Sequence, residues 1–220
     1  MNSPSGSKES NHEPLTISVK DLSKRFNREW IFKNLDYQFL AGKTYAVTGP
    51  NGSGKSTLLQ VVWGQIPQSS GIIRYQKGNI NIPIEETFRC ISIATPYMDL
   101  IEEFTLYEML NFHFRLKTLR KGLQTQDLLR IMYLEDAGDK QLINFSSGMK
   151  QRLKLAMAFY TEADVYFLDE PGTNLDSRAF EWYKKELGLL PDNAIIMIAS
   201  NNPEEYPQTA TVFNIMDFKR

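Results

Sequence analysis

The sequence predicts an α/β fold in which a mostly parallel sheet is joined by a small N-terminal antiparallel sheet and by an inserted helical segment. Three observations lead to this prediction. A glycine-rich loop at 49–57 follows a short apolar run and precedes a helical pattern. Continuous apolar runs at 165–169 and 194–199 are typical of strands that are covered on both faces. Two alternating runs, at 15–19 and 31–39, precede the glycine-rich loop and predict antiparallel strands.

Size and composition limit the possible classes of protein. The 220 residues are enough for one well-buried domain, or for a core domain with a small insert. A net charge of -1 does not favour a nucleic-acid partner, which usually requires a basic stripe. The single cysteine, Cys90, cannot form an internal disulfide, which indicates a reducing compartment. We find no apolar run long enough to span a membrane and no signal-peptide pattern.

The N-terminal region combines a polar segment with the first strands. Residues 1–14 are polar and rich in serine, and we predict a disordered tail there. The two alternating strands that follow indicate an additional small sheet on which an adenine ring can rest. Phe26 is the aromatic residue expected to stack on the base, and Trp30 is the second choice. The alternative is that Phe26 is an ordinary core aromatic at the end of a strand.

The glycine-rich loop fits the phosphate-binding pattern G-x-x-x-x-G-K-[ST] and predicts a P-loop NTPase core. Its glycines permit the tight turn that brings backbone N–H groups toward phosphate oxygens. Lys55 adds a positive charge, the Ser56 hydroxyl is a suitable magnesium ligand, and the following helix points its positive end at the anion. The residues expected to contact the nucleotide are Gly49, Pro50, Asn51, Gly52, Ser53, Gly54, Lys55, Ser56 and Thr57.

The segment at about 96–150 has helical periodicity and predicts the inserted α-helical subdomain. Thr105 followed by Glu108 has the spacing of a capping box, which indicates that a helix begins there. His113 lies on the apolar stripe of this helix, and we expect it to be a packed residue rather than a catalytic one. The insert ends in a serine cap and a small-residue turn at 145–152, which together form a second possible anion site.

The apolar strand predicted at 165–169 ends in Asp169, and a second carboxylate, Glu170, follows directly. Ligands of parallel sheets lie at the carboxyl ends of the strands, so these acids are candidates for an active site. The alternative is that the two acids form an ordinary helix cap. The phosphate-binding loop upstream favours the active-site interpretation.

These motifs, in this order, resemble those of the ATP-binding subunits of ABC transporters. The family signature reads L-S-G-G-Q-x-Q-R, and this chain differs from it at Phe145, Ser147 and Met149. The resemblance covers residues 15–215 and implies the ABC ATPase fold, with ATP and Mg²⁺ as cofactors. In that family the signature of one subunit contacts the γ-phosphate held by the other, which implicates Ser146 and Gly148. The positions that match the signature are Ser146, Gly148, Gln151 and Arg152.

The resemblance also implies roles for single residues and for partners. Asp169 would hold the magnesium ion through water, and Glu170 would orient or deprotonate the attacking water. The metal ion and Lys55 would take the developing charge. The implied partners are an integral membrane permease and a second ATP-binding subunit, in a homodimer or a heterodimer, on the cytoplasmic face of the membrane. The transported substrate and the direction of transport remain open.

The sequence departs from the family pattern at two further places. The family usually has a Gln after the strand that ends near Ala94, and residues 94–99 contain none. It usually has a His after the strand that ends at Ala199, where this chain has Ser200 and Asn201. An amide can donate a hydrogen bond to phosphate but cannot carry a proton as His can. We therefore expect good binding of ATP and magnesium but slow hydrolysis, with Asn201 in the catalytic set.

Two other functions share parts of this pattern. A soluble ATPase of the same family, acting in translation or DNA repair, would keep the core, but such relatives tend to have two cores, long coiled-coil arms or zinc-binding cysteines. A small-molecule kinase would use the phosphate loop with an arginine-containing lid. A kinase would not explain the second anion site or the pair Asp169 and Glu170.

Overall fold

The computed structural model describes residues 13–219, which form two sheets surrounded by helices. The tail predicted at 1–14 falls mostly on residues outside this range. The strands are β1 (Leu15–Phe26), β2 (Glu29–Leu40), β3 (Lys43–Thr48), β4 (Ser70–Lys77), β5 (Ile80–Ile82), β6 (Ile91–Ala94), β7 (Val165–Asp169), β8 (Ile195–Ala199) and β9 (Thr211–Asn214). The α-helices are α1 (Lys55–Val62), α2 (Leu106–Leu116), α3 (Thr125–Ile131), α4 (Ser147–Tyr160) and α5 (Ser177–Leu187).

The first sheet is antiparallel and has the strand order β2-β1-β4-β5. Strand β1 extends beyond the alternating run at 15–19 that predicts it. Its register relative to β2 shifts between Val19 and Leu22, where the alternating run ends. Asp21, inside this shift, has a positive φ of 50°. A bulge of this kind breaks the alternation of apolar and polar residues, which hides the second half of the strand in the sequence.

The second sheet is parallel, with the strand order β6-β7-β8-β3-β9. All five residues of β7 are buried, as its continuous apolar run predicts. Because the strands are parallel, their carboxyl ends meet at one edge of the sheet. The phosphate loop follows β3, the two carboxylates lie at the end of β7, and Asn201 follows β8. The predicted α/β class, with its antiparallel and parallel sheets, is confirmed.

Two hydrophobic cores support these sheets. One fills the space between the antiparallel sheet, α1 and one face of the parallel sheet, and the other packs α2–α5 against the opposite face. The segment predicted as a helical insert contains α2, α3 and the start of α4. The capping box is present: the Thr105 N–H donates to the Glu108 carboxylate at 2.8 Å, and the Glu108 N–H donates to the Thr105 hydroxyl at 3.2 Å. Among the described helices, none is long and apolar enough to cross a membrane.

Candidate active site

The phosphate loop connects β3 to α1 through a turn that only glycine can make without strain. Gly54 has a φ of 107°, and a Cβ at this position would collide with the side chain of Ile31 on β2. No side chain caps the first turn of α1. Its N–H groups therefore remain available to an anion at the positive end of the helix.

The positive charge in this loop, that of Lys55, is buried. Lys55 is only 4% exposed, and its ammonium group donates to the carbonyl oxygens of Gly49 at 2.9 Å and Pro50 at 3.4 Å. Within residues 13–219 it forms no ion pair. The buried Ser53 hydroxyl also has no hydrogen-bond partner in the described part of the chain. A buried cation and an unpartnered hydroxyl in one loop suit an anionic ligand such as a phosphate group.

Ser56 and Asp169 meet although 113 residues separate them in the sequence, and the Ser56 hydroxyl donates to Asp169 Oδ1 at 2.9 Å. Asp169 is 1% exposed, and burial raises its pKa to about 6, while the Ser56 hydroxyl and Lys55 act in the opposite direction. A hydroxyl and one carboxylate are a typical protein contribution to a Mg²⁺ site, in which waters and phosphates complete the coordination. The donor set therefore fits this ion.

Glu170 has a φ of 45°, which is unusual for a residue with a side chain. The Glu170 N–H donates to the Ala199 carbonyl at 2.9 Å. The carbonyl of the following residue, Pro171, accepts a hydrogen bond from Gln151 Nε2 at 2.9 Å. These bonds connect the turn after β7 to β8 and α4. Glu170 lines a cavity of about 480 Å³ together with the phosphate loop. The predicted metal and base residues therefore lie at one place.

Asn201 also lies at the phosphate loop, and its side-chain amide both accepts and donates there. Its Oδ1 accepts from the Gly49 N–H at 3.1 Å, and its Nδ2 donates to Asn51 Oδ1 at 3.1 Å. Because Nδ2 carries two hydrogens, the bond to Asn51 is compatible with the expected hydrogen bond from Asn201 to a phosphate. The amide bridges the two ends of the loop's first turn.

The signature residues and the predicted adenine-stacking residue lie elsewhere. Ser146 caps α4 by accepting from the Met149 N–H at 3.2 Å, and neither Ser146 nor Gly148 lines the cavity at the phosphate loop. Phe26 is 48% exposed at the end of β1, so the alternative that it is a core aromatic is wrong. Phe26 and Trp30 are likewise absent from the lining of this cavity.

Several residues at the site are not predicted from the sequence. Ile31, Gln60 and Tyr97 line the cavity beside the phosphate loop and Glu170. Tyr97 follows the carboxyl end of β6, which is a neighbour of β7, and this position in the sheet is the signal that identifies it. Ile31 and Gln60 carry no such signal, because their positions depend on how the antiparallel sheet and α1 pack together.

Comparison with known proteins agrees with this geometry. A family model described as ABC transporter matches residues 32–173. The Nod factor export ATP-binding protein I of Rhizobium johnstonii is 30% identical over 209 residues, which are 93% of this chain and 66% of that protein. The spermidine/putrescine import ATP-binding protein PotA of Thermotoga maritima is 31% identical over 180 residues, which cover 80% of this chain and 48% of PotA. The chain thus spans just under two thirds of one relative and about half of the other.

Solved structures share the fold. A putative ABC transporter ATP-binding protein from Pyrococcus furiosus superimposes with a TM-score of 0.76 at 20% identity, covering 92% of this chain and 98% of its own. The structure of an ATP-binding subunit of an ABC transporter has a TM-score of 0.68 at 26% identity, covering 84% and 78% respectively. From the family match and the site, the chain is an ATP-binding domain of the ABC transporter family.

Proposed function

We propose that this chain binds ATP with Mg²⁺ and hydrolyses it to power a membrane transporter. The observation that supports this most strongly is the meeting of two distant segments at one place. The phosphate loop contributes Lys55 and Ser56, and the end of β7 contributes Asp169, which accepts from the Ser56 hydroxyl, and Glu170, which lines the cavity beside the loop. Because 113 residues separate Ser56 from Asp169, an accidental match of one motif does not account for the arrangement.

The chain's own residues divide the work of binding. The backbone N–H groups of the loop and the first turn of α1 hold the phosphates, and Lys55 exchanges its carbonyl partners for phosphate oxygens. Ser56, and Asp169 through water, would hold Mg²⁺, and its charge would offset the cost of burying the Asp169 carboxylate. When bound, Mg²⁺ supplies positive charge that neutralises the phosphate oxygens during transfer.

Glu170 is the proposed base that orients or deprotonates the attacking water. The backbone of the turn that carries it is anchored at the Glu170 N–H and at the Pro171 carbonyl, so the turn is formed before the nucleotide binds. Asn201 cannot accept a proton in the way that a His can. We therefore infer that hydrolysis is slow compared with nucleotide binding.

The signature segment acts on a nucleotide held by a second subunit. Ser146 is exposed and Gly148 half-buried, and both lie away from the cavity of their own chain. Two copies, or this chain and a sister subunit, then enclose two ATP molecules in a head-to-tail dimer. Phe26 is 48% exposed, with the Lys24 ammonium 4.7 Å from its ring centroid, and it remains the proposed residue for stacking on adenine.

A membrane permease is the proposed further partner, and it would keep the subunit at the cytoplasmic face of the membrane. The names of the relatives support this partner, because they describe one export protein and one import protein. Both directions of transport therefore remain open for this chain. The permease would select the substrate.

The decisive experiment measures the mass in solution of the Glu170→Gln protein with and without ATP and Mg²⁺. We expect a shift from monomer to dimer that requires ATP and that Lys55→Ala removes. Glu162→Gln, an exposed acid outside the site, is the control and should hydrolyse ATP at the native rate. A native protein that fails to bind a fluorescent ATP analogue would refute the proposal. Binding without dimerisation would point to a sister subunit as the partner.

A further inference from the structure

Glu205 has a buried carboxyl group that the proposed mechanism does not use, and it lies next to the loop after β8. Glu205 ends the short 3₁₀ turn Pro203–Glu205, which follows β8, and it is only 7% exposed. Its Oε2 atom is buried without a hydrogen-bond partner in residues 13–219. Its neighbour Glu204 is exposed. Burying a polar group that is incompletely paired costs free energy, so this position calls for an explanation.

The surroundings of Glu205 belong to the two loops that carry site residues. Burial raises the pKa of its carboxyl group, and the Ser200 hydroxyl and the Gly172 N–H lie close enough to act against that rise. Ser200 precedes Asn201 in the loop after β8, and Gly172 belongs to the loop after β7. A Cβ on Gly172 would collide with the Glu205 carboxyl, so the side chain packs directly against the backbone there.

The loop after β7 requires support because Glu170 has the unusual φ of 45°. One support is the hydrogen bond from the Glu170 N–H to β8, and a second is the bond from Gln151 on α4 to the Pro171 carbonyl. Glu205 adds a third at Gly172. Its own backbone is fixed in turn, because the Tyr183 hydroxyl on α5 donates to the Glu205 carbonyl.

We propose that Glu205 is a positioning residue that joins the turn Glu170–Gly172 to the turn carrying Ser200 and Asn201. Through this contact the turn of Glu170 and the amide of Asn201 keep their places at the phosphate loop. The effect on hydrolysis rests on the proposed ATPase function. The joining of the two turns does not, and it can be measured without nucleotide.

The first test compares Glu205→Ala with Glu205→Gln, which keeps the shape and an acceptor oxygen, and with the exposed control Glu204→Ala. We expect Glu205→Ala to lower kcat for ATP hydrolysis about tenfold with little change in ATP affinity, because binding residues are untouched. Glu205→Gln should stay within about threefold of the native rate, and Glu204→Ala should equal it. A native kcat in Glu205→Ala, or equal losses in both Glu205 variants, would overturn the proposal.

The second test uses amide hydrogen exchange in the absence of nucleotide. In Glu205→Ala, the turns at 170–174 and 200–202 should exchange faster, while β7 and α4 keep their native protection. Unchanged exchange in both turns would refute the positioning role even if the protein proves to have no ATPase activity. If Glu205→Ala does not fold, Glu205→Asp replaces it in both tests. The shorter Asp side chain keeps the charge but moves the carboxyl away from Gly172.

Discussion

Asn201 illustrates how one side chain limits the chemistry of a site. Its amide already bridges Gly49 and Asn51, so it orders the phosphate loop before a nucleotide arrives. An amide donates and accepts hydrogen bonds but does not act as an acid or a base at neutral pH. Under the proposed function we therefore expect nucleotide binding with slow turnover.

Replacing Asn201 with His should raise the rate of ATP hydrolysis about three- to tenfold, because an imidazole can share a proton and carry charge near the γ-phosphate. Steady-state hydrolysis at saturating ATP measures the effect. The exposed Asn193, in the turn before β8, gives the control, Asn193→His, which should leave the rate unchanged. A rate in Asn201→His that is no higher than the native rate would argue against the missing imidazole as the limit.

Residues found only in the structure depend on contacts between distant segments. Asp169 and Glu170 are predictable because they end a continuous apolar strand, and the phosphate loop is predictable because its spacing is fixed by phosphate geometry. Glu205 has no such signal. It and Glu204 are adjacent acids with equal local propensities, and only the packing of the β7 and β8 loops buries one of them.

Helix α2 contains a buried histidine whose titration links its packing to pH. The pKa of His113 is lowered to about 4, first by burial and then by the charge of Lys117. Its ring bonds to the Thr161 hydroxyl at 2.9 Å, and that hydroxyl donates to the Met157 carbonyl. The ring is thus neutral in the folded state, in agreement with the expectation of a packed residue.

The sign of the pH effect follows from the lowered pKa. Below pH 6.5 His113 takes up a proton in the unfolded chain, whereas in the folded chain it does so only below about pH 4. The free energy of unfolding therefore falls as the pH is lowered from 6.5 to about 4. His113→Gln keeps a donor to Thr161 without titrating. We expect the loss of unfolding free energy between pH 7.5 and pH 5 to be smaller in this variant by about 1 to 2 kcal/mol. Urea unfolding at both pH values measures it, and equal losses in the two proteins would contradict the assignment.

Elements with an uninterrupted or capped pattern are predicted well, and elements with irregular backbone are not. The buried run of β7 and the capping box of α2 identify these elements directly. The second half of β1 is not predicted, because the register shift near Asp21 removes the alternation that marks a strand.

At the scale of the whole molecule, the site joins the two hydrophobic cores. Helix α1, which follows its loop, packs in the core under the antiparallel sheet, and β7 contributes residues to both cores. A ligand bound at this junction therefore stabilises the global fold rather than one subregion.

Saturation with ATP and Mg²⁺ should raise the unfolding free energy of the Glu170→Gln protein by about 3 kcal/mol at a ligand concentration 100 times the dissociation constant. Asp169→Asn in the same background, or removal of metal with EDTA, should reduce this gain. Lys55→Ala should abolish it, because the phosphates lose their buried positive partner. Thermal and urea unfolding with and without nucleotide measure these effects. Equal stabilisation of the Lys55→Ala protein would mean that ATP binds elsewhere.

The position of β3 in the parallel sheet has a consequence for biosynthesis. The strand that leads into the phosphate loop lies between β8 and β9, so both of its neighbours come from residues 195–214. A ribosome releases the loop long before it releases these strands. The nascent chain therefore carries the loop's strand without either sheet neighbour until residues 195–214 have followed, and we expect stable nucleotide binding to develop after that point.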